Sequence, residues 1–353
     1  MVLMRLYWIV CELVKDMGYS CQTKAVATED GYIVEVDRVW QNTTATLFNE
    51  DARGNPVLLV PGMLDDSATW FLNYPSQSAG FMLADKGYDV WAMNTREAAK
   101  RCHHKEWDQS DPRYWEWSFN EIGQFDVAAA IELALTTTGA STLAILAFSQ
   151  GFTSSLVLLS TKPEYNAKLL IDPLGRGGRL SFPGTTEATG NFFCSIFGGE
   201  LCSVTLFLAL TVTPQQVNKT RTPVYMAHTY QGTSIKNLRH FVQIAKSKKF
   251  AMYDNGKVEN LRNYGTVEPP EYPLKRISVP VALFSAVGDR VANPVDVADL
   301  VKTLDSVVVL DYVVPIRNFR HDDFILSYKA AVVLHQVMIA TLANYTTTAR
   351  KVV

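Results

Sequence analysis

Two rhythms of apolar residues organise the chain. Short apolar runs and strictly alternating stretches, both strand patterns, recur between helically spaced segments up to Ile171 and return at Val279; between them the strand rhythm is lost. Cys21 to Ala27 and Gly31 to Trp40 alternate across the turn residues Thr28-Glu29-Asp30-Gly31, which predicts an antiparallel hairpin at a sheet edge. Leu6 to Met17 reads as an amphipathic helix ahead of it. Val57 to Val60, Tyr88 to Met93 and Thr142 to Ala147 predict buried strands, with helices at Phe81 to Lys86 and Phe119 to Leu135. A helix over Gly151 to Ser160 and a short strand at Leu169-Leu170-Ile171 follow. Late in the chain the pattern predicts strands at Val279 to Ala286 and Val307 to Val314, a helix at Pro294 to Leu304, and a closing helix from Phe324 to Leu342.

Strands alternating with helices imply crossover connections and a mostly parallel sheet, so the fold class is α/β. The interruption starts with Gly175-Arg176-Gly177-Gly178 and carries apolar, helical pieces from Phe192 to Val212. It predicts a helical cap, residues 173–272, inserted between two parts of one core, residues 1–172 and 273–353.

Composition narrows the function. A chain of 353 residues with 48% hydrophobic and 19% charged residues can bury a large core. Its net charge of -2 gives no overall basic footprint for nucleic acid. No apolar window reaches the roughly 18 residues of a spanning helix, and no small-residue cleavage site follows the apolar start, so no signal peptide is read here. The segment from Gly175 to Lys275 holds 12 Lys plus Arg against 6 Asp plus Glu, a surplus that could draw a cap toward anionic lipid or simply be solvated. Five cysteines form no dense framework. Cys194 and Cys202, close in sequence within the cap, are the expected pair. Asn42, Asn218 and Asn344 head N-x-T sequons compatible with a secretory route. His103 and His104 beside Cys102 read as surface residues rather than metal ligands, since neighbours in an extended chain point opposite ways. No metal or cofactor is implied.

The chemistry centres on Ala147-Phe148-Ser149-Gln150-Gly151. A serine between a buried strand and a helix stands on a sharp turn that projects its hydroxyl off the sheet, and little side-chain bulk is tolerated two residues to either side. The hydroxyl needs a base, itself oriented by an acid. Asp289 follows one later strand and His321 the last one, in the chain order serine, acid, histidine. Acyl transfer also needs oxyanion donors: the N–H of Gln150, first in the elbow helix, supplies one, and that of Met63, in the turn Pro61-Gly62-Met63-Leu64, the natural second.

These residues resemble the acid lipases, the family of the gastric and lysosomal acid lipases, over about Gly18 to Leu342. The resemblance is carried by Thr28-Glu29-Asp30-Gly31-Tyr32, Gly87-Tyr88-Asp89-Val90-Trp91, Asn94-Thr95-Arg96, Ser149-Gln150-Gly151, Asp289 with Ala292-Asn293-Pro294, and His321-Asp322-Asp323-Phe324-Ile325. It implies an α/β-hydrolase fold and hydrolysis of triacylglycerols or sterol esters, with Ser149 as nucleophile, His321 as base then acid, Asp289 as orienter, and Met63 and Gln150 as oxyanion donors. It also implies a cap disulfide at Cys194 and Cys202 and a secreted or lysosomal setting, while the basic surplus of the cap leaves peripheral contact with lipid droplets or a membrane surface open. The family pattern is left at Pro61, where it has histidine, at Glu97 and Ala147, where it has glycine, and at Phe148, where it has histidine. Those departures keep a second reading open, a catalytically weak relative that binds lipid or a partner.

Overall fold

Alternation in residues 21–40 produces the expected hairpin, β1 (Ser20–Ala27) and β2 (Tyr32–Trp40), paired antiparallel from Ser20↔Trp40 to Ala27↔Ile33. Its turn closes where Gly31 takes φ +98° and the Thr28 hydroxyl accepts the Tyr32 N–H at 2.9 Å. The computed structural model describes residues 9–42, 55–170, 172–173, 211–228 and 231–349. The other strands are β3 (Pro56–Val60), β4 (Asp89–Met93), β5 (Cys102–His104), β6 (Ala144–Ala147), β7 (Asp172–Pro173), β8 (Val281–Ser285) and β9 (Val308–Val313). They run in the order β1-β2-β4-β3-β6, then β7-β8-β9, with β5 beside β2. A parallel bridge between Leu143 and Leu169 connects the two sections. From β4 onward the pairings within this order are parallel.

The continuous apolar runs have a simple cause. Every residue of β3, β4, β6 and β8 is buried, because both faces of the sheet are covered. Successive residues enter different cores: Val57, Leu59, Ala144 and Leu146 face one, and Leu58, Val60, Ile145 and Ala147 the other. Strand β9 alternates half-buried and exposed positions instead.

Helices cover the sheet: α1 (Val10–Asp16), α2 (Ala79–Asp85), α3 (residues 119–138), α4 (Gln150–Thr161), and, late in the chain, α5 (Thr222–His228), α6 (Ile235–Ser247), α7 (Lys257–Tyr264), α8 (Pro294–Thr303), α9 (Asp323–Leu326) and α10 (residues 331–349). Within α3, Ile122–Val127 is wound as a π-helix. A Cβ at Gly123 would stand 2.3 Å from the Ser154 carbonyl oxygen, so α3 approaches α4 there as closely as only glycine permits.

Several expectations shift. The strand read at 169–171 lies at Asp172–Pro173, with Leu169 only an isolated bridge and Ile171 outside the described residues. The single closing helix is broken after Leu326, where Ser327 is extended and bridges Val217. Cys194 and Cys202 lie outside the described residues, whereas Cys11 and Cys21, not foreseen as partners, form a disulfide linking α1 to β1. Within 211–272 the named elements are all helical.

Candidate active site

Ser149 follows β6 and precedes α4 with φ 52° and ψ -119°, one of three described non-glycine residues at positive φ. Such a backbone is costly for an L side chain and persists only where its surroundings enforce it. Here the enforcement is contact: a Cβ on Gly151 would lie 2.5 Å from the Pro61 carbonyl oxygen and 2.6 Å from that of Val60. The elbow is therefore pressed against the end of β3 and the turn that follows. On the other side Ala147 pairs with Val60 inside the sheet and is fully buried, so its methyl is accommodated.

The three sequence-predicted side chains meet. The Ser149 Oγ is 2.8 Å from His321 Nε2, and His321 Nδ1 is 3.0 Å from Asp289 Oδ2. Asp289 Oδ1 accepts the N–H groups of Val291 and Ala292 at 2.9 and 3.0 Å, which fixes the carboxylate. A carboxylate can only accept, so the proton of the imidazole sits on Nδ1 and Nε2 is free to accept the serine hydroxyl. Asp289 and His321 are 2% and 5% exposed, and the Phe148 ring lies 5.0 Å from the imidazole ring, so bulk water is largely kept from the imidazole. A small pocket bounded by Ala147, Phe148, Phe284 and Phe324 lies against these three residues.

The histidine loop is fastened from two sides. A Cβ on Gly288 would stand 2.7 Å from the Phe319 carbonyl oxygen, so the acid turn and the histidine loop touch backbone to backbone. Asp322 N–H donates to the Thr211 carbonyl, Thr211 Oγ1 donates to Asp322 Oδ2, and Thr213 N–H donates to Asp323 Oδ1. Burial pushes the Asp322 carboxyl up to about 6, against the nearby His321, which lowers it.

Met63 and Gln150 come from the two segments that Gly151 brings together. Gln150 opens α4, and the first amides of a helix have no intrahelical acceptor. In the turn, a Cβ on Gly62 would meet the Phe148 ring at 2.9 Å, and Leu64 is held at φ 68°. The sequence singled out Glu97 only as a departure, yet it is fully buried and bonded to Gln150. Its one sequence signal was an acidic residue just beyond a buried strand.

His103 and His104 lie in β5 and share no ligand geometry: His103 is exposed, while His104 stacks on Trp107 at 4.1 Å. Among the described residues only Cys11, Cys21 and Asp37 approach ligand spacing, and the two sulfurs are bonded to each other. Of the sequon residues, Asn42 is exposed, Asn218 accepts from the Thr220 hydroxyl, and Asn344 lies in α10.

Residues 10–74 match the model of the partial α/β-hydrolase lipase region. The chain is 30% identical to the gastric triacylglycerol lipase of Bos taurus over 95% of its own length and 91% of that protein. The chain belongs to the acid lipase family. Lipase member M of Mus musculus is 31% identical across 90% of this acid lipase and 81% of its own length. Solved structures agree on the fold: a Bacillus subtilis carboxylesterase has a TM-score of 0.55 at 12% identity, covering 97% of this chain and 99% of that one. A thermophilic esterase from Thermogutta terrifontis gives 0.53 at 14%, covering 92% and 99%. This acid lipase is thus an α/β-hydrolase in fold and a lipase by kinship, and no described helix is long and apolar enough to cross a membrane.

Proposed function

We propose that this acid lipase hydrolyses the carboxylic esters of lipids, triacylglycerols or sterol esters, through an acyl-enzyme on Ser149. The observation that carries the reading is the continuous chain from Ser149 Oγ through the His321 ring to Asp289, at 2.8 and 3.0 Å, on a strained elbow. Ser149 Oγ attacks the ester carbonyl while His321 Nε2 takes its proton, and Asp289 holds the ring and steadies the imidazolium. The carbonyl oxygen becomes an oxyanion received by the N–H groups of Met63 and Gln150. His321 then protonates the leaving alcohol. Water, activated by the same nitrogen, releases the fatty acid and restores the serine.

The segment 173–272, whose named elements within 211–272 are helical, serves as the cap of the site. Its basic surplus, with Ile235, Leu238 and Val242 exposed along α6, suits a peripheral contact with a lipid droplet or membrane surface. The setting is secreted or lysosomal: a disulfide between Cys11 and Cys21 suits an oxidising route, and Asn42, Asn218 and Asn344 are sites for glycosylation.

A fluorophosphonate, which phosphonylates activated serines, tests the reading. Labelling of the wild type that disappears in Ser149→Ala supports it. A folded wild type that takes no label leaves the lipid- or partner-binding relative as the better account.

A further inference from the structure

The site contains a carboxyl group that the acyl-enzyme mechanism does not use. Glu97 is 0% exposed, yet no charged group is among its bonding partners. Gln150 Nε2 donates to its Oε2 at 2.6 Å, and Asn237 Nδ2 lies 3.3 Å from its Oε1. Asn237 Nδ2 also donates to Gln150 Oε1 at 2.6 Å, and Asn237 Oδ1 accepts the Phe119 N–H at 2.7 Å. The Gln150 side chain is therefore held at both ends. The Leu64 N–H and the Thr233 hydroxyl lie near enough to the same carboxyl to oppose the rise in its proton affinity. Leu64 is at positive φ, and its carbonyl oxygen accepts the Gln231 N–H at 2.8 Å, a bond that helps hold the residue next to Met63 in a conformation that leucine resists.

We propose that Glu97 is a positioning residue of the oxyanion hole, joining the Gln150 side to the Met63-Leu64 side and both to α6, and that the hole works while this carboxyl is neutral. The inference rests on the acyl-enzyme reading. Its electrostatic part follows from location: a charge on Glu97 would stand one side chain away from the place where an oxyanion must form, and like charges in a dry site repel strongly. When Glu97 is neutral, its proton can be donated to the Thr233 oxygen, because a hydroxyl accepts as well as donates. Burial favours this neutral form, pushing the group up to about 8.

Among the described residues no competing cation faces the group. Arg96 turns its guanidinium to Asp30 and Asp126, and Arg101 turns to Glu35 and Asp37. On α6, Lys236 donates to the Glu116 carbonyl, Arg239 is exposed, and buried His240 is lowered to about 4 and so neutral. Asp65, on the oxyanion turn, is an acid whose proton affinity burial raises first and Glu97 raises further. Helix α4 carries no charged residue.

The test compares wild type, Glu97→Gln and Glu97→Ala on a water-soluble nitrophenyl ester from pH 5 to 9.5. Wild-type kcat is expected to fall about tenfold as pH rises through about 8. E97Q, neutral throughout and able to keep the bonds, loses that fall. E97A lowers kcat about 10- to 100-fold across the range with KM within about twofold, the signature of a contact that matters in the transition state. An E97Q profile superimposable on the wild type, or an E97A effect confined to KM, overturns the role of Glu97 while leaving the nucleophile intact. If E97A does not fold, the E97Q profile decides alone. A wild type that neither turns over ester nor takes a fluorophosphonate overturns the acyl-enzyme reading, and the Glu97 proposal with it.

Discussion

Buried acids are treated differently in two parts of this molecule. Around the hairpin and its neighbouring strands, arginine serves most of them: Arg38 reaches Asp89 at 2.5 Å, Arg96 grips buried Asp126 at 2.7 Å and half-buried Asp30 at 2.7 Å, and Arg101 holds Asp37 at 2.9 Å. Around the serine, Glu97 and Asp322 are surrounded by amides and hydroxyls and have no guanidinium. Burial raises Asp126 as well, but there Arg96 opposes it. A guanidinium pair fixes geometry and charge together, which suits a scaffold. Neutral donors fix geometry and leave the charge free to change, which suits a place where charge must form and vanish during turnover. The Asp289 carboxylate lies between these cases, held by two backbone amides and one imidazole.

Breaking the reacting chain should have the largest effect. Ser149→Ala and His321→Gln are each expected to lower ester hydrolysis by at least about 10⁴-fold in a titrimetric assay, with thermal unfolding nearly unchanged. Persistence of activity in H321Q would show the base to be misassigned. On the scaffold side, Arg96→Met leaves Asp126 buried without its cation and should destabilise the fold by about 3–5 kcal/mol in denaturant titrations. A cost below about 1 kcal/mol would remove the distinction between the two regions. Cys11→Ser with Cys21→Ser should cost about 2–3 kcal/mol, since a short loop is freed in the unfolded chain. The smallest effect is on pH dependence. Asp322 is raised to about 6 from an ordinary 3.8, so the folded state holds its proton more tightly than the unfolded one. The resulting stability is full below about 4 and lost as pH rises through about 6. Asp322→Asn should remove roughly 1 kcal/mol of that pH-dependent stability, measured as Tm against pH.

What the sequence disclosed depended on the range of each interaction. Strands β3, β4, β6 and β8 were legible because burial on both faces demands an unbroken apolar run, and the triad because strand ends dictate where Ser149, Asp289 and His321 must lie. The elbow glycine was legible for the same reason. The break after Leu326 was not, because its cause is a bridge to Val217, more than a hundred residues away, with no local marker. The Cys11–Cys21 pair was obscured because its spacing in sequence said nothing about how α1 docks on β1. Glu97 was visible only as an oddity; its partners Gln150 and Asn237 come from separate segments that only the folded chain assembles.

The contact at Gly288 has a bearing on how such a site can change. The turn carrying the acid and the loop carrying the base share a seam with no room for a single added carbon atom. Any drift in one must be matched by the other, so the two segments, separated by a helix and a strand, are expected to vary as one part.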